Sequence, residues 1–256
     1  MTRAKAARMR ARLVQTGLEM DSAINQNIEI DDLVLPEWIG TNAKGRATRE
    51  LILRTGLKLL VDEGYGAMSM RRVASLAGLK FGNLTYHYPS RDELVTELLD
   101  SVIKAYECAF DDMIATSKFD AAEQLALYIR LAFISMQHTN QARFAPEIWA
   151  LSNHEPSAAL RMYSMYDRAL HLVENIMIEM RPDLARDQIQ ALALFCVCSI
   201  EGFVVFIGAD KPFQPWRPAM ERMAVKSLVD LVTTADADLI GALPALQRAS
   251  APVVMA

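Results

Sequence analysis

Residues 64–94 read GYGAMSMRRVASLAGLKFGNLTYHYPSRDEL, and this stretch decides the fold. Ser69 is placed to cap the free backbone amides of a helix of about two turns that follows it. Gly78 breaks that helix, and a second short helix is predicted from about Lys80 to Tyr88. Two short helices joined by a tight, glycine-containing turn are the helix-turn-helix pattern, in which the second helix enters the major groove of DNA.

The apolar residues of this stretch explain why the two short helices would pack together. Val73, Ala74 and Ala77 form a small apolar face on the first helix, which lets the second helix cross it closely. Leu79 and Leu84 are placed to pack into that face. The polar side chains between them are thereby left on the outside.

Helices are also predicted on both sides of this motif. One runs from about Lys44 to Glu63 and ends at Gly64, and Ser90 is placed to cap the helix that follows the motif. Later helices are predicted at roughly 91–115, 120–138, 141–153, 156–180, 185–208 and 216–234.

The sequence therefore predicts an all-α fold, with an N-terminal three-helix helix-turn-helix DNA-binding domain followed by a larger helical domain. The predicted segments are a basic and acidic N-terminal arm, the helix-turn-helix domain, the helical domain and a flexible tail, at residues 1–43, 44–90, 91–240 and 241–256. The family that the helix-turn-helix stretch resembles implies that the helical domain is an effector-binding (ligand-binding) and dimerisation domain.

The composition is that of a soluble, helix-rich protein of a reducing compartment. Hydrophobic residues make up 52% of the chain, and Gly (11) and Pro (10) are scarce among 256 residues, which favours helices. The three cysteines lie in apolar helical runs and form no disulfide framework of a secreted protein. The basic N-terminus is not followed by the apolar core of a signal peptide, so we expect a cytoplasmic protein.

Positive charge is concentrated near the N-terminus of a chain whose net charge is −4. Residues 1–12 carry five basic and no acidic side chains, residues 13–43 carry six acidic and no basic ones, and residues 44–91 carry nine basic and three acidic ones. This distribution suits a polyanion that is contacted by one end of the protein. The basic arm could lie along phosphates or in a minor groove, or it could be a solvated segment.

The helix-turn-helix stretch resembles the DNA-binding region of the TetR/AcrR family of repressors. The resemblance runs from Lys44 to Asp100, and the C-terminal two thirds of the chain resembles the family in architecture alone. Thr85 departs from the family, which usually has an aromatic residue there that touches phosphate, whereas Tyr86 keeps the second aromatic position. The matching positions are Gly64, Ser69, Val73-Ala74, Ala77-Gly78-Leu79, Gly82, Leu84, His87-Tyr88, Ser90-Arg91 and Leu94.

The residue chemistry and the resemblance together predict a double-stranded DNA partner with a palindromic operator. Asn83 could pair with adenine, Lys80 with guanine or phosphate, and the Phe81 ring could contact a thymine methyl. Packing or a solvated helix face remains the alternative for several of these side chains. The groove-facing candidates are Lys80, Phe81, Asn83, Thr85 and Tyr86, and the phosphate candidates are Ser69, Arg71, His87 and Arg91.

The resemblance also implies a small-molecule effector enclosed by the central helices. Aromatic and methionine side chains favour a hydrophobic or aromatic effector, although such residues are more often simply core. The ligand-binding candidates are Phe110, Met113, Phe133, Met136, Gln137, Trp149, Asn153, Arg161, Tyr163, Tyr166, Phe195 and Phe203.

The helix from about Asp187 to Gly208 is apolar nearly all round, so it must be covered on both sides. Glu201 lies inside it, which favours a buried helix over a membrane span, and we expect no membrane partner. The resemblance implies a homodimer in which the last two long helices pair across a twofold axis. Reading a palindrome also requires two recognition helices about one turn of DNA apart, roughly 34–36 Å.

Other functional classes receive little support from the sequence. We find no metal-ligand spacing, glycine-rich phosphate loop or nucleophile elbow, so no enzyme, cofactor, metal or catalytic residue is predicted. A helical interaction module without DNA binding, and a transcriptional activator of the same fold, remain alternatives. The identity of the effector and the operator sequence are not predicted.

Overall fold

The computed structural model describes residues 33–35, 42–116 and 119–244, apart from the side chains at 109–113, 115–116 and 139–141. These residues form α-helices joined by turns and short 3₁₀ segments, and no strand occurs among them, which confirms the predicted all-α class. Most of the predicted arm, 1–43, and of the tail, 241–256, lies outside the described residues.

Apart from the last one, a single turn that was not predicted, the helices of the described chain lie within a few residues of their predicted bounds. The first four include the two helices of the helix-turn-helix, and the last six follow them. They are α1 (Ala43–Glu63), α2 (Met70–Leu76), α3 (Phe81–His87), α4 (Arg91–Thr116), α5 (Ala121–Ser135), α6 (Thr139–Ser152), α7 (Pro156–Met180), α8 (Arg186–Ile207), α9 (Arg217–Thr234) and the single turn α10 (Ala237–Ile240).

Local capping explains where several of these helices begin. The Asn42 side chain accepts a hydrogen bond from the backbone N–H of Gly45 at 2.8 Å and caps α1. The Ser90 hydroxyl accepts from the N–H of Glu93 at 3.1 Å and donates to the Glu93 carboxylate at 3.0 Å, a reciprocal pair that starts α4 as predicted. At the start of α5, the N–H of Glu123 donates to the Asp120 carboxylate and the N–H of Asp120 donates to the Glu123 carboxylate, both at 3.0 Å.

The described residues group into two compact units. The N-terminal unit contains 33–35, 42–108 and 138–169, and the C-terminal unit contains 109–116, 119–137 and 170–244. The division falls inside α4 and α7, so each of these helices contributes to both units. These two units are defined by packing. The domains predicted from the sequence are defined by function, and they stay a prediction.

The core of the N-terminal unit brings the helix-turn-helix together with α1 and α4. Its fully buried side chains include Ile52, Leu53 and Leu60 of α1 and Leu94 and Leu98 of α4. Because α2 and α3 are only seven residues each, these longer helices supply most of the apolar area against which the motif packs. The helix-turn-helix is thus supported by the core that α1 and α4 form.

In the C-terminal unit, α5 and α8 each pack against α9. Arg130 of α5 and Arg217 of α9 both pair with Glu221, at 3.1 and 3.4 Å, and all three side chains are largely buried. Arg181 donates hydrogen bonds to the carbonyl oxygens of Val232 (3.0 Å) and Ala235 (2.6 Å), which satisfies the C-terminal end of α9.

Candidate nucleic-acid interface

The turn between α2 and α3 has the geometry that the sequence predicts. The Ser69 hydroxyl accepts from the N–H of Arg72 at 3.3 Å and caps α2. Gly78 has a φ of 66°, a conformation that favours glycine, and the N–H of Leu79 donates to the carbonyl oxygen of Ala74 at 2.8 Å. The chain therefore reverses within three residues and starts α3 directly.

The inner face of the motif is apolar and fully covered. Val73 and Ala74 of α2 and Leu84 of α3 are buried, and Tyr88, which follows α3, is buried as well. This confirms the predicted packing of Leu84. Leu84 is the one buried residue of α3, Thr85 and His87 are half-buried, and the other residues of this helix are exposed.

The outer face of α3 carries most of the predicted groove-facing side chains. Lys80, Phe81, Asn83 and Tyr86 are exposed, and Tyr86 is exposed to 83% although it is aromatic. Thr85 differs, because it is half-buried and its hydroxyl lies 3.2 Å from the carbonyl oxygen of Phe81 on its own helix. The exposed set combines one cation, one amide and two aromatic rings, which are the groups that read base edges and methyls.

The two arginines of α2 have different surroundings. The exposed Arg71 guanidinium lies 5.7 Å from the centroid of the Phe81 ring, so it lies beside the outer face of α3. Arg72 instead pairs with Glu63 at the end of α1. Adjacent arginines look equivalent in the sequence, whereas the fold leaves Arg71 next to the recognition helix and gives Arg72 an acidic neighbour.

His87 ends α3 and lies next to Tyr86. The two rings meet edge to face, with centroids 5.2 Å apart. Burial lowers the pKa of the His87 imidazole below its ordinary value, and the nearby Arg49 lowers it further. Both effects favour the neutral form of the ring in the free protein, and a neutral imidazole still has one N–H to donate.

Arg91, the fourth predicted phosphate contact, is half-buried and engaged with the chain. It donates a hydrogen bond to the carbonyl oxygen of Tyr65 at 2.7 Å, and its guanidinium lies 3.7 Å from the centroid of the Tyr65 ring. Arg91 thus joins the start of α4 to the segment between α1 and α2. Its role in binding DNA stays a prediction.

Two residues that the sequence did not single out brace the end of α3. Arg49 of α1 donates to the carbonyl oxygen of His87 at 3.3 Å, pairs with Glu97 of α4, and lies 4.7 Å from the centroid of the Tyr88 ring. The Tyr88 hydroxyl donates to Glu97 at 3.0 Å, and burial raises the pKa of this phenol. Arg49 is 38 residues from His87 and 48 residues from Glu97 in the sequence, so no local pattern predicts these contacts.

A second long-range contact fixes the segment before α2. Gly64 has a φ of 81°, and the N–H of Tyr65 donates to the Glu147 carboxylate of α6 at 3.1 Å. The Tyr65 hydroxyl lies 3.2 Å from the Glu155 carboxylate. These carboxylates connect α6 and the residues after it to the helix-turn-helix within the N-terminal unit.

The predicted ligand-binding residues are distributed over both units. In the N-terminal unit, Trp149 donates its indole N–H to the Tyr166 hydroxyl at 2.7 Å. Asn153 and Tyr163 are exposed, and Arg161 forms an ion pair with Asp100 at 2.8 Å. The structure therefore brings Trp149 and Tyr166 together.

In the C-terminal unit, Phe133 of α5 and Phe203 of α8 form a ring pair with centroids 4.9 Å apart. Met136 is buried, whereas Gln137 and Phe195 are exposed. The side chains of two further candidates, Phe110 and Met113, lie outside the described residues.

Within the part of the chain that the structure describes, helix α8 leaves one apolar face exposed. One face packs inward, and the opposite one exposes about half of Leu194, Phe195, Val205 and Phe206, together with Cys198. We call these five residues the α8 face. Among the described residues, α8 is also the one helix whose length and composition, with a mean hydropathy of 2.1, would allow it to cross a membrane.

Comparisons with known proteins agree with this geometry. Residues 52–98 match the family model of bacterial regulatory proteins of the tetR family, and this range covers α2 and α3 with parts of α1 and α4. An uncharacterised helix-turn-helix transcriptional regulator from the dhlA 5′ region of Xanthobacter autotrophicus is 25% identical over 165 residues, which are 63% of this chain and 80% of that protein.

Solved structures show the same fold. A TetR transcription regulator from Haloarcula marismortui superposes with a TM-score of 0.59 at 14% identity, over 72% of this chain and 97% of that one. A regulator from Saccharomonospora viridis, crystallised with choline, gives a TM-score of 0.60 at 20% identity, over 74% and 97% of the two chains.

The fold, the exposed recognition helix and these matches define a helix-turn-helix DNA-binding protein of the transcription-regulator class. Residues 52–98 are similar to bacterial regulatory proteins of the tetR family, and the chain shares the fold of the solved regulators.

Proposed function

We propose that this protein is a cytoplasmic, homodimeric repressor that binds a palindromic operator and is released from it by a small, largely apolar effector. The observation that carries the proposal is the outer face of α3, where Lys80, Phe81, Asn83 and Tyr86 are exposed around the buried Leu84. The two aromatic rings of this face lie beside a lysine and an amide, a combination that suits thymine methyls and base edges.

Each side chain has a role that follows from its position. Lys80 and Asn83 read base edges, and Phe81 and Tyr86 contact thymine methyls or the sugar and phosphate groups. Ser69, Arg71 and His87 hold phosphates and fix the register of the protein on the duplex. Thr85, which is turned toward its own helix, contributes at most a hydroxyl contact to phosphate.

The dimer is proposed to form through the α8 face. Phe195 and Phe206 are each more than half exposed, and contiguous apolar surface of this kind is typical of protein interfaces. A twofold interface on this face would cover the second side of α8, and it also explains the apolarity of α8 without a membrane. Two copies of α3 could then meet successive major grooves.

The effector is proposed to bind among the aromatic side chains of the central helices. The Trp149–Tyr166 pair supplies flat apolar surface in the N-terminal unit, and the Phe133–Phe203 pair supplies it in the C-terminal unit. The polar candidates Gln137, Asn153 and Arg161 lie close to these pairs in the sequence. That the Saccharomonospora viridis protein was crystallised with choline supports a small-molecule ligand. Release requires that the effector binds the DNA-incompetent state more tightly than the DNA-bound state.

The first experiment selects the operator from random duplex DNA with the purified full-length protein and then measures its affinity for wild type and for Lys80→Ala. We expect a palindromic sequence, and about a 10-fold or larger loss for Lys80→Ala, as for the loss of one base contact. Dimerisation should not change. If wild type enriches no sequence, or if Lys80→Ala binds the selected duplex as wild type does, α3 is not the reading helix.

The effector is then sought by a thermal-shift screen of apolar metabolites and drugs. A ligand that raises the melting temperature should weaken operator binding in proportion to its concentration. Ligand and operator that bind together without weakening each other would contradict the release mechanism.

A further inference from the structure

A groove in the N-terminal unit lies between the first half of α4 and the short segment 33–35 that precedes α1. We call it the α4 groove. Its volume is about 730 Å³, which is within the range of small-molecule sites. None of the described residues that are proposed to bind the effector lines it. The α4 groove is therefore a second place where a small ligand fits this protein.

Apolar side chains form part of the wall of the α4 groove. Leu33 is only 8% exposed and belongs to the core cluster of the N-terminal unit, so it fixes the segment whose Val34 and Leu35 line the groove. The buried Tyr88, which follows α3, lines it as well. Burial of apolar groups of a ligand against these side chains would favour binding.

A buried hydroxyl group of the α4 groove has no partner. Ser101 of α4 lines the groove and is 1% exposed, and its Oγ makes no hydrogen bond to the described residues. Buried polar groups are nearly always hydrogen-bonded, because an unsatisfied one costs free energy. A ligand that donates a hydrogen bond to Ser101 would remove this cost.

Carboxylates outnumber cations in the α4 groove. Glu93, Glu97 and Asp100 follow one another at spacings of four and three residues, which places them on one face of α4. Among the described residues, two basic ones line the groove, namely Arg49 and Lys104. The lining is therefore acidic and rich in hydrogen-bond acceptors, which suits a ligand with ammonium groups.

Glu93 is the carboxylate of this set that lacks a cation. It accepts a hydrogen bond from the neutral Ser90 hydroxyl at 3.0 Å and forms no ion pair among the described residues. The other two carboxylates each pair with an arginine. An ammonium group of a ligand would supply the missing charge at Glu93.

The two groups that lack a partner of this kind lie far apart along α4. Glu93 and Ser101 are separated by eight residues, which is about 12 Å along a helix. A single ammonium group cannot contact both of them, whereas a chain with an ammonium group at each end can. Methylene groups between the two ends would match the apolar part of the wall.

The α4 groove also adjoins the contacts that support the recognition helix. Glu97 lines it and binds both Arg49 and the Tyr88 hydroxyl. Arg49 in turn donates to the carbonyl oxygen of His87, the last residue of α3. A cation in the groove would repel Arg49 and compete with it for Glu97, so it would weaken the support of α3.

We propose that the α4 groove is a regulatory site for a linear aliphatic diamine. One ammonium group binds the Glu93 carboxylate, and the other donates to Asp100 and Ser101. The methylene chain between them packs against Leu35 and Tyr88. Occupation of the groove weakens operator binding, and this part of the inference rests on the proposed function.

The ligand class is tested by calorimetric titration of the full-length protein with putrescine and cadaverine. Butylamine, which has one ammonium group, and butanediol, which has none, are the matched controls. We expect the diamines to bind at least about tenfold more tightly than butylamine, because the monoamine lacks one charge-assisted hydrogen bond. If butylamine or butanediol binds as tightly as the diamines, the assignment is wrong.

The site is tested by Glu93→Gln and Ser101→Ala. Glu93→Gln should weaken putrescine binding at least about tenfold, and glutamine can keep the pair with Ser90. Ser101→Ala should weaken it about fivefold without lowering the melting temperature of the free protein, because its hydroxyl has no partner there. The control Asp92→Asn removes an adjacent exposed charge outside the groove and should bind as wild type does. If both test variants bind putrescine as wild type does, the α4 groove is not the site.

The regulatory role is tested by fluorescence anisotropy with the selected operator, at a putrescine concentration that occupies wild type but not Glu93→Gln. Wild type should lose at least about fivefold in operator affinity, and Glu93→Gln should lose much less. Putrescine that merely competes for DNA phosphates would act equally on both proteins, so equal losses, or no loss in wild type, would overturn this role. If wild type binds no operator, the proposed function fails, whereas the calorimetry still decides whether the groove binds a diamine.

Discussion

Helices α3 and α8 both expose large side chains in the single chain, but the chemistry of the two faces differs. Around one buried residue, Leu84, α3 presents a lysine, an amide and two aromatic rings, with an arginine of α2 beside it. Helix α8 buries one face, and its outward side, the α8 face, is almost wholly apolar. A polar and cationic face with aromatic rings suits a nucleic acid, whereas an apolar one suits another protein surface.

The difference also concerns how the two helices are supported. The seven residues of α3 are too few to be stable alone, and α3 depends on α2, the buried Tyr88 and the contacts of Arg49. The 22 residues of α8 are held by their own buried face in the C-terminal unit. Substitutions near α3 should therefore change DNA binding and local stability together, while those on the α8 face should change association.

The largest effect is expected from Phe206→Glu on the α8 face. A charge placed against an apolar partner surface costs several kcal/mol, so the dimer should dissociate. Since one subunit alone reads one half-site, we expect operator affinity to fall by at least about 100-fold. Light scattering after size exclusion measures the oligomeric state, and anisotropy measures the affinity.

The control for association is Leu51→Glu, which places the same charge on an exposed leucine of α1. It should stay dimeric. If Phe206→Glu remains a dimer, the α8 face is not the interface, and the proposed difference in function between α3 and α8 is wrong.

Arg71→Ala should have a moderate effect on the DNA side of the comparison. The loss of one phosphate contact in each subunit should weaken binding to all sequences about equally and lower the salt slope of the dimer by about 2. Arg72→Ala is its matched control, since Arg72 pairs with Glu63, and it should leave the slope nearly unchanged. Equal losses for the two variants would show that the position beside Phe81 has no special role.

Tyr88→Phe tests the support behind α3. It removes the hydrogen bond to Glu97 and leaves part of a largely buried carboxylate without its donor, at a cost of about 1 kcal/mol. The melting temperature should fall by about 2–4 °C. Tyr163→Phe, at an exposed tyrosine, serves as the control and should melt as wild type does. An unchanged melting temperature for Tyr88→Phe would contradict the bracing role.

The smallest effect is expected from the titration of His87. The folded pKa is lowered by burial and by Arg49, so below the ordinary value of about 6.5 the unfolded chain takes up this proton more readily than the folded one. The His87 contribution to stability is therefore present above that pH and is lost as the pH falls. His87→Gln should show a shallower loss of stability between pH 7 and 5 than wild type in thermal unfolding, and an equal loss in the two proteins would contradict this role of His87.

The sequence predicts the helices well because their signals are local. Ser69, Gly78 and Ser90 specify ends and turns within three residues of themselves, and the structure confirms each of them. The buried Leu84 and the exposed Tyr86 likewise follow from the resemblance to a known motif and from the spacing of apolar residues on a short helix.

The long-range contacts could not be predicted in this way. Arg49 meets Glu97 and the carbonyl of His87 across the domain, and Glu147 accepts from Tyr65 across 82 residues. No periodicity or cap encodes these partners, since each pair exists only once the helices have packed. The burial of Leu33 is of the same kind, because a leucine in a polar arm carries no local sign of docking.

The most direct test of the account is an electrophoretic shift with the DNA upstream of the protein's own gene at low salt. We predict a retarded complex that contains two protein chains, that is lost with Phe206→Glu and that is weakened with Lys80→Ala. If wild type gives no shifted complex at low salt, the proposal that α3 binds DNA as part of a dimeric regulator is wrong.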